Sequence, residues 1–498
     1  MYGYTFFRHS DSGSRRTLSK LRVDWIVVRC TTKKTARFLT IISTILIGTT
    51  TQVAAQDERS MEQVFTVVYP TGVFPDDVQN VQVAVDKGGT IFLRAFNATG
   101  VPMAFNFGTA GPHVSESGAV SLSTDVKIIG ERTDSYRATI SGGFAPFRCF
   151  VPVKSKIQGI DFESPFDDAI AILASTGTEI VENRIHNVVP VRTRVPSGRI
   201  ITFADGIDFS GFGDALHAIT GKVRVRDNEI DGLGALFSNG IQFDSVGAES
   251  EITGNSIQNV NSVNTVTGAG ITVIRSQRSV LVAHNLIIPG PSQGSGAPGI
   301  FIDGDHDALY TVIHNKMILD GPFGDGIDVA GGDPTGTTGT AGAVIRNNDI
   351  TLHNASSSGG IVLFDLVTDN LIEENEIQGD GAIAFGITTY GFRIGTASLN
   401  RFIDNDIGHF VSSMSDVFFD TNTQYNLVMG ECKSVIDLGV GNSATCEQET
   451  EKPTGQAITS ASKAPIGNLP TAAAATARQS RQRQLEMFAP LPHTQPVQ

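Results

Sequence analysis

The sequence predicts an all-β chain wound as a parallel β-helix, a solenoid of stacked coils with a short capping helix at its N-terminal end. Two recurring markers carry that prediction. Eight asparagines, Asn183, Asn228, Asn255, Asn285, Asn315, Asn348, Asn375 and Asn405, each stand two residues before Ile or Met and three after Ile, Val or Phe. From Asn255 onward their spacings are 30, 30, 33, 27 and 30 residues by subtraction, a fixed period of the kind that marks stacked repeats. In step with them runs the dipeptide Gly-Ile at 206–207, 240–241, 270–271, 299–300, 326–327, 360–361 and 386–387.

Each repeat offers short extended runs, such as 240–243 and 250–253, in which apolar and polar residues alternate. Segments of that length, broken by Gly, Asn, Asp and Ser, cannot bury an apolar face alone. They must stack and share one interior. Stacking sets Ile207, Ile241, Ile271, Ile300, Ile327, Ile361 and Ile387 in one interior column. Ile230, Ile257, Ile287, Met317, Ile350, Ile377 and Ile407 form another. The asparagines then fall at a bend, where a side-chain amide both donates and accepts and can bond to its copies in adjacent coils.

Pro75 to Gly88 begins with two acids, aligns Val78, Val81 and Val85, and stops at Gly, as expected of a helix closing an otherwise open strand edge. The first strands are expected at 90–93 and 126–130. The last coil is expected at 416–429, closed by 434–441.

Lys33, Lys34 and Arg37, the apolar run 38–48 and Val53-Ala54-Ala55 have the three zones of an export signal, with cleavage expected after Ala55 and a secreted or periplasmic product. The apolar run is short for a bilayer span. Residues 1–55 hold nine Lys or Arg and two Asp or Glu, so their loss takes the formal charge from -14 to -21. Such a surface disfavours nucleic acid, and an anionic glycan would need a local basic patch or bridging cations. The expected organisation is signal 1–55, β-helix 60–445 and an aperiodic Ala/Thr/Gln/Pro-rich tail 446–498. Cys432 and Cys446 are spaced for a disulfide in an oxidising compartment, and Cys149 is read as a buried structural thiol.

In the Gly-Ile-x frame, x points outward, so Asp208, Gln242, Thr272, Phe301, Asp328, Val362 and Thr388 line one long face. Asp208 and Asp328 are four coils apart on it, about 19 Å. The densest polar set is Asp303, Asp305, His306 and Asp307 beside Asp325, Asp328 and Asp333. Crowded carboxylates raise one another's pKa or attract a hard cation such as Ca²⁺. The expected metal ligands are Asp303, Asp325 and Asp328, the expected catalytic groups His306, Asp328 and Arg275, and the expected substrate contacts Phe301, Arg278 and Tyr390. Turn and bend duty is the competing reading for these acids. A second cluster, Asp205, Asp208, Asp214 and His217 beside Phe212, is read more as turn than as site.

From about residue 75 to 441 the helix, the Gly-Ile strands and the Asn-x-Ile corners together resemble the right-handed parallel β-helix proteins of the pectate-lyase-like superfamily. That resemblance implies right-handed coils and a secreted protein directed at polysaccharide. The superfamily's activity motifs are incomplete. Asp167-Asp168 lacks the companions that polygalacturonase-like hydrolases show. Phe301-Ile302-Asp303 with His306 only echoes the pectate lyase block. Tyr390-Gly391-Phe392 is followed by Arg393 where alginate epimerases carry Asp. Two functions are therefore expected: a lyase or epimerase acting on uronate glycans with Ca²⁺, or a non-catalytic solenoid that binds glycan along its face.

Overall fold

The computed structural model describes residues 65–109, 118–194, 200–211, 218–233, 237–260, 267–290, 298–304, 308–321, 324–331, 339–354, 358–379, 384–390, 397–408, 415–430 and 435–446. Among them the chain is a right-handed parallel β-helix. Its strands order into sheets of 14, 13 and 11 strands, each stacking successive coils, and a further sheet of four strands. Among the described residues the strands pair in parallel, except that Val191–Arg194 folds back antiparallel on Ile200–Ser210, and isolated antiparallel bridges join Phe96 to Pro102 and Arg132 to Arg137. A strand that crosses over to a parallel neighbour does so with right-handed sense, because strand twist permits the return only that way. No described helix is long and apolar enough to cross a membrane.

The helix Asp76–Lys87 covers the first coil with Val78, Val81, Ala84 and Val85. Asp77 fastens it. One carboxylate oxygen accepts from the Thr71 amide (2.7 Å) and hydroxyl (2.8 Å), the other from the amides of Gly72 (3.0 Å) and Asn106 (2.8 Å). The expected strands form at Gly89–Leu93 and Val126–Gly130, and a strand not expected, Phe65–Val68, precedes the helix and pairs with Gly89–Leu93. At the far end, Ser415–Phe419 and Leu427–Gly430 are followed by Val435–Asp437 and Ser443–Cys446, each paired with the preceding coil.

Both interior columns stand in the expected register, and Ile207, Ile241, Ile271, Ile300, Ile327 and Ile361 are 0% exposed. The glycines before them have a packing cause that periodicity alone does not reveal. A Cβ on Gly240 would meet Ile257 Cγ2 at 2.5 Å and the Gly270 carbonyl at 2.6 Å. One on Gly206 would meet the Gly240 carbonyl at 2.5 Å and Ile230 Cγ2 at 2.9 Å. The coil is so narrow there that the Gly column presses on the second isoleucine column, and only hydrogen fits.

The asparagine ladder runs unbroken: each Nδ2 from Asn183 to Asn375 donates to the next Oδ1 at 2.8–3.1 Å. The residue before each asparagine takes a left-handed conformation, from Glu182 (φ 56°) to Asp404 (φ 50°), which turns the chain through the bend. A second ladder, Asn370–Asn400–Asn426–Asn442 at 2.8–3.0 Å, appears where the four-stranded sheet adds a further side to the coil. Cys149 is buried and unbridged, its Sγ 3.1 Å from the Val151 carbonyl, and burial pushes its thiol up. This fits a structural thiol. Cys432 lies outside the described residues, and the expected Cys432–Cys446 disulfide with it.

Candidate active site

The 13-stranded sheet presents the long outward face. Its pairing aligns Arg148, Ala171, Asp208, Gln242, Thr272, Phe301, Asp328 and Val362 in one row. A second row runs Asp168, Asp205, Asn239 and Ala269, and a third Ser210, Asp244, Ile274, Asp303 and Ala330. The rows change character along the solenoid. Toward the N-terminal end they carry carboxylates and amides, whereas Ala269, Phe301, Ala330, Val362, Phe364 and Phe418 form a separate buried apolar cluster on the later coils.

The polar section gathers Asp167 and Asp168 on one coil with Asp205 and Asp208 on the next. Asn239 donates to Asp205 Oδ1 through its backbone amide (2.6 Å) and its Nδ2 (3.0 Å). Ser210 Oγ (2.6 Å) and Gln242 Nε2 (3.0 Å) donate to Asp208 Oδ1. The two amides are themselves locked, since Asn239 Nδ2 donates to Gln242 Oε1 at 2.9 Å and Thr272 Oγ1 to Asn239 Oδ1 at 2.6 Å. Both carboxylates thus take these bonds on Oδ1, which orients their Oδ2 atoms. All four aspartates keep part of their surface open to solvent, as groups meeting a ligand must.

Their electrostatics follow from crowding on a protein wall. Burial pushes the Asp208 carboxyl up to about 7, with repulsion from Asp244 and Asp167 adding to it and the Ser210 and Gln242 hydrogen bonds opposing it. Burial likewise raises Asp167 to about 6. Asp168 and Asp205 lie well above the usual carboxylate range, first through burial and then through the neighbouring aspartates. Near neutral pH such a set shares protons, so it holds carboxylic acid and carboxylate side by side, the condition for paired acid and base chemistry.

The acids expected to form the site, three to four coils further on, are arranged differently. Asp325 Oδ1 accepts from the Gly359 amide at 2.6 Å and so faces the following coil. Asp328 is 1% exposed in the row of Phe301 and Val362, while Asp303 stands in another row beside Ile274 and Ala330. No group of three or more His, Cys, Asp or Glu among the described residues could hold a metal ion. Asp303, Asp325 and Asp328, expected as Ca²⁺ ligands, are not such a group among the described residues: Asp325 Oδ1 is engaged by the Gly359 amide, and Asp303 and Asp328 stand in different rows.

Arg275 turns toward the preceding coil. Its Nε donates to Asp244 Oδ1 at 3.0 Å and its Nη2 pairs with Oδ2, which places it beside the Asp208 cluster instead of Asp328. Phe301 is 3% exposed with its ring centre 6.5 Å from that of Phe364, a packed ring and not an open platform. Arg278 is exposed. His306, Phe212, Asp214 and His217 lie outside the described residues, as does the side chain of Tyr390. Asp167 and Asp168 escaped the repeat frame because their coil reads Asp168-Ala169-Ile170-Ala171, with Ala in place of the marker Gly. The carboxylate doublet one repeat before Asp205 and Asp208 was the available signal.

No protein-family model and no curated protein sequence matches the chain. Among solved structures it is similar to a mannuronan C-5 epimerase A-module from Azotobacter vinelandii, at 12% identity and TM-score 0.33, covering 79% of this chain and 100% of that one. It is also similar to a DFA-IIIase from Arthrobacter chlorophenolicus A6, at 11% identity and TM-score 0.37, covering 78% and 99%. Tailspike protein 3 of bacteriophage CBA120 gives 10% identity and TM-score 0.22, covering 78% and 60%. The fold assignment rests on the chain's own strand register.

Proposed function

We propose that the protein is an exported carbohydrate-active enzyme that cleaves glycosidic bonds of a polysaccharide laid across the carboxylate section of its 13-stranded sheet. The observation that carries this reading is the set Asp167, Asp168, Asp205 and Asp208, four carboxyls on two adjacent coils with raised proton affinities. Asp208, with its pKa near 7, is about half protonated at neutral pH, and its protonated form serves as general acid to the leaving glycosidic oxygen. Asp167, ionised above about 6, serves as the paired carboxylate toward the anomeric carbon or its attacking water. Asn239, Gln242 and Ser210 hold the acids in place. Export follows from the basic, apolar and small-residue zones of residues 33–55. The reaction differs from the elimination or epimerisation expected around Asp328, because its acids stand at Asp208 and need no cation cradle.

The test is to incubate the secreted protein with uronate-containing and neutral polysaccharides, with Ca²⁺ or with chelator. Reducing ends and the absorbance of unsaturated sugars are then followed together. Reducing ends without unsaturated products are expected, with a loss of at least about 100-fold in Asp208→Asn, the scale of a general acid. Unsaturated products would assign elimination or a lyase instead. Silence on every polymer, with binding retained, would assign the non-catalytic glycan-binding solenoid.

A further inference from the structure

The late coils expose an apolar group that neither backbone preference nor burial accounts for. Leu399, Tyr425 and Val440 are 53%, 59% and 59% exposed. Leu399 (φ 58°) and Tyr425 (φ 55°) occupy the left-handed corner just before Asn400 and Asn426 of the second ladder. Gly, Asn and Asp adopt that conformation most readily, and a bulky side chain there is strained. The same column carries the favoured types on the coils either side, Asp369 before and Gly441 after. Large apolar residues held at a strained corner and left in water mark a function outside the fold itself.

Their setting is flat and uncharged. The Tyr425 ring lies over Gly441, where an added Cβ would meet its Cε1 at 2.6 Å and its Cδ1 at 2.7 Å. Asn426, the next residue, is fixed by hydrogen bonds to Asn400, Asn442 and the Ala397 carbonyl, so the platform is preorganised. Beside it the four-stranded sheet aligns Thr368, Ser398 and Gln424 in a half-buried row, which an isolated bridge extends to Val440. An aromatic ring edged by hydroxyls and an amide matches a sugar, with its apolar C–H face and hydroxyl rim. Leu399, Tyr425, Val440, Ser398 and Gln424 carry no charge, so the matching sugar is neutral. The exposed apolar side chains offer on the order of 300 Å², against about 800 Å² per partner in a stable protein interface. That area suits a sugar chain and falls short of a second copy.

We propose that Tyr425, with Leu399, Val440, Ser398 and Gln424, is a non-catalytic glycan-binding site that stacks the C–H face of a neutral sugar ring. It lies on the coil of Phe418, seven strand spacings from Asp208, or about 34 Å along the axis. A polymer held there stays at high local concentration near the carboxyls. The site does not depend on cleavage at Asp208.

The experiment is affinity electrophoresis of the full secreted protein in gels containing hydroxyethylcellulose, galactomannan or polygalacturonate, with urea midpoints and product formation measured in parallel. Wild type is expected to be retarded by a neutral polymer and not by polygalacturonate. Tyr425→Ala should weaken that retardation about tenfold or more, the scale of a lost aromatic platform, and Tyr425→Trp should keep it. In Tyr425→Asn the urea midpoint should hold or rise while retardation is lost, because Asn suits the left-handed corner; a purely structural Tyr425 would give the reverse. Asp208→Asn should keep retardation while losing product. Wild-type retardation in Tyr425→Asn, retardation by polygalacturonate alone, or none in any gel would overturn the site. Self-association of wild type by light scattering, lost in Tyr425→Asn and without polymer binding, would assign the patch to a second copy and also overturn it. Tyr425-dependent retardation without product on any polymer would sink the cleavage reading and leave this site standing. If Tyr425→Ala or Tyr425→Asn fails to fold by circular dichroism, Tyr425→Leu decides, as an apolar side chain without a ring: retardation equal to wild type overturns the proposal.

Discussion

Replacing Asn285 with Ala should remove about a third or more of a typical domain's stability, although the residue touches no candidate ligand. Asn285 Oδ1 accepts from the Asn255 backbone amide and Nδ2, both at 2.9 Å. Its Nδ2 donates to the Ile252 carbonyl at 3.0 Å and to Asn315 Oδ1 at 2.9 Å. The residue is 1% exposed, so water does not readily replace those partners. Four buried hydrogen bonds at about 1 kcal/mol each give about 4 kcal/mol, and stranding the Asn255 donors pushes the cost toward the upper end. Net stabilities of about 5–15 kcal/mol make that a large fraction. Urea unfolding followed by far-UV circular dichroism measures it, since the sole tryptophan, Trp25, lies upstream of the expected cleavage site. Amide exchange should also accelerate first in the coils around Asn255 and Asn315, because stability in a solenoid is passed between neighbours. A loss under about 1 kcal/mol with unchanged exchange would mean that the ladder is geometric consequence and not structural support.

Two further outcomes follow from the site and the packing. Asp208 and Asp167 are protonated in the folded chain up to about 7 and about 6, whereas an unfolded Asp loses its proton near 3.9. Their contribution to stability is therefore full below about pH 4 and is lost as pH rises through 6 to 7. The urea midpoint should fall between about pH 5 and pH 8, and Asp208→Asn should flatten part of that fall; an unchanged slope in the variant would refute the assignment. Gly240→Ala should cost about 1–3 kcal/mol or more, because the added methyl meets a backbone carbonyl at 2.6 Å and Ile257 at 2.5 Å. A neutral thermal melt would show that the coil widens freely.

Much of the scaffold was legible from single residues. Asn-x-Ile located the bend, Gly-Ile located the interior column, and Asp76-Asp77 to Gly88 located the capping helix, because each has a local chemical requirement that repeats. The expected placement of Asp208 four coils from Asp328 holds in the strand register. What the frame missed sits where the repeat changes. The coil of Asp168 carries Ala169 where others carry Gly, so its carboxylates were not counted into the same rows. The second asparagine ladder depends on an extra sheet that the one-dimensional period does not encode. Arg275 was placed one coil before Asp303, and its backbone amide does donate to the Asp303 carbonyl, yet its side chain reaches back to Asp244.

The sequence by itself determined the solenoid, the coil period, and which residues face inward, since stacking of like on like is a one-dimensional rule. Only the tertiary structure decided which acids form a group. The proton affinity of a carboxyl depends on how much protein surrounds it and which charges share its wall, and those distances arise from pairing between residues tens of positions apart. Asp303 and Asp328, close in sequence pattern, ended in different rows. Asp168 and Asp205, 37 residues apart, ended side by side.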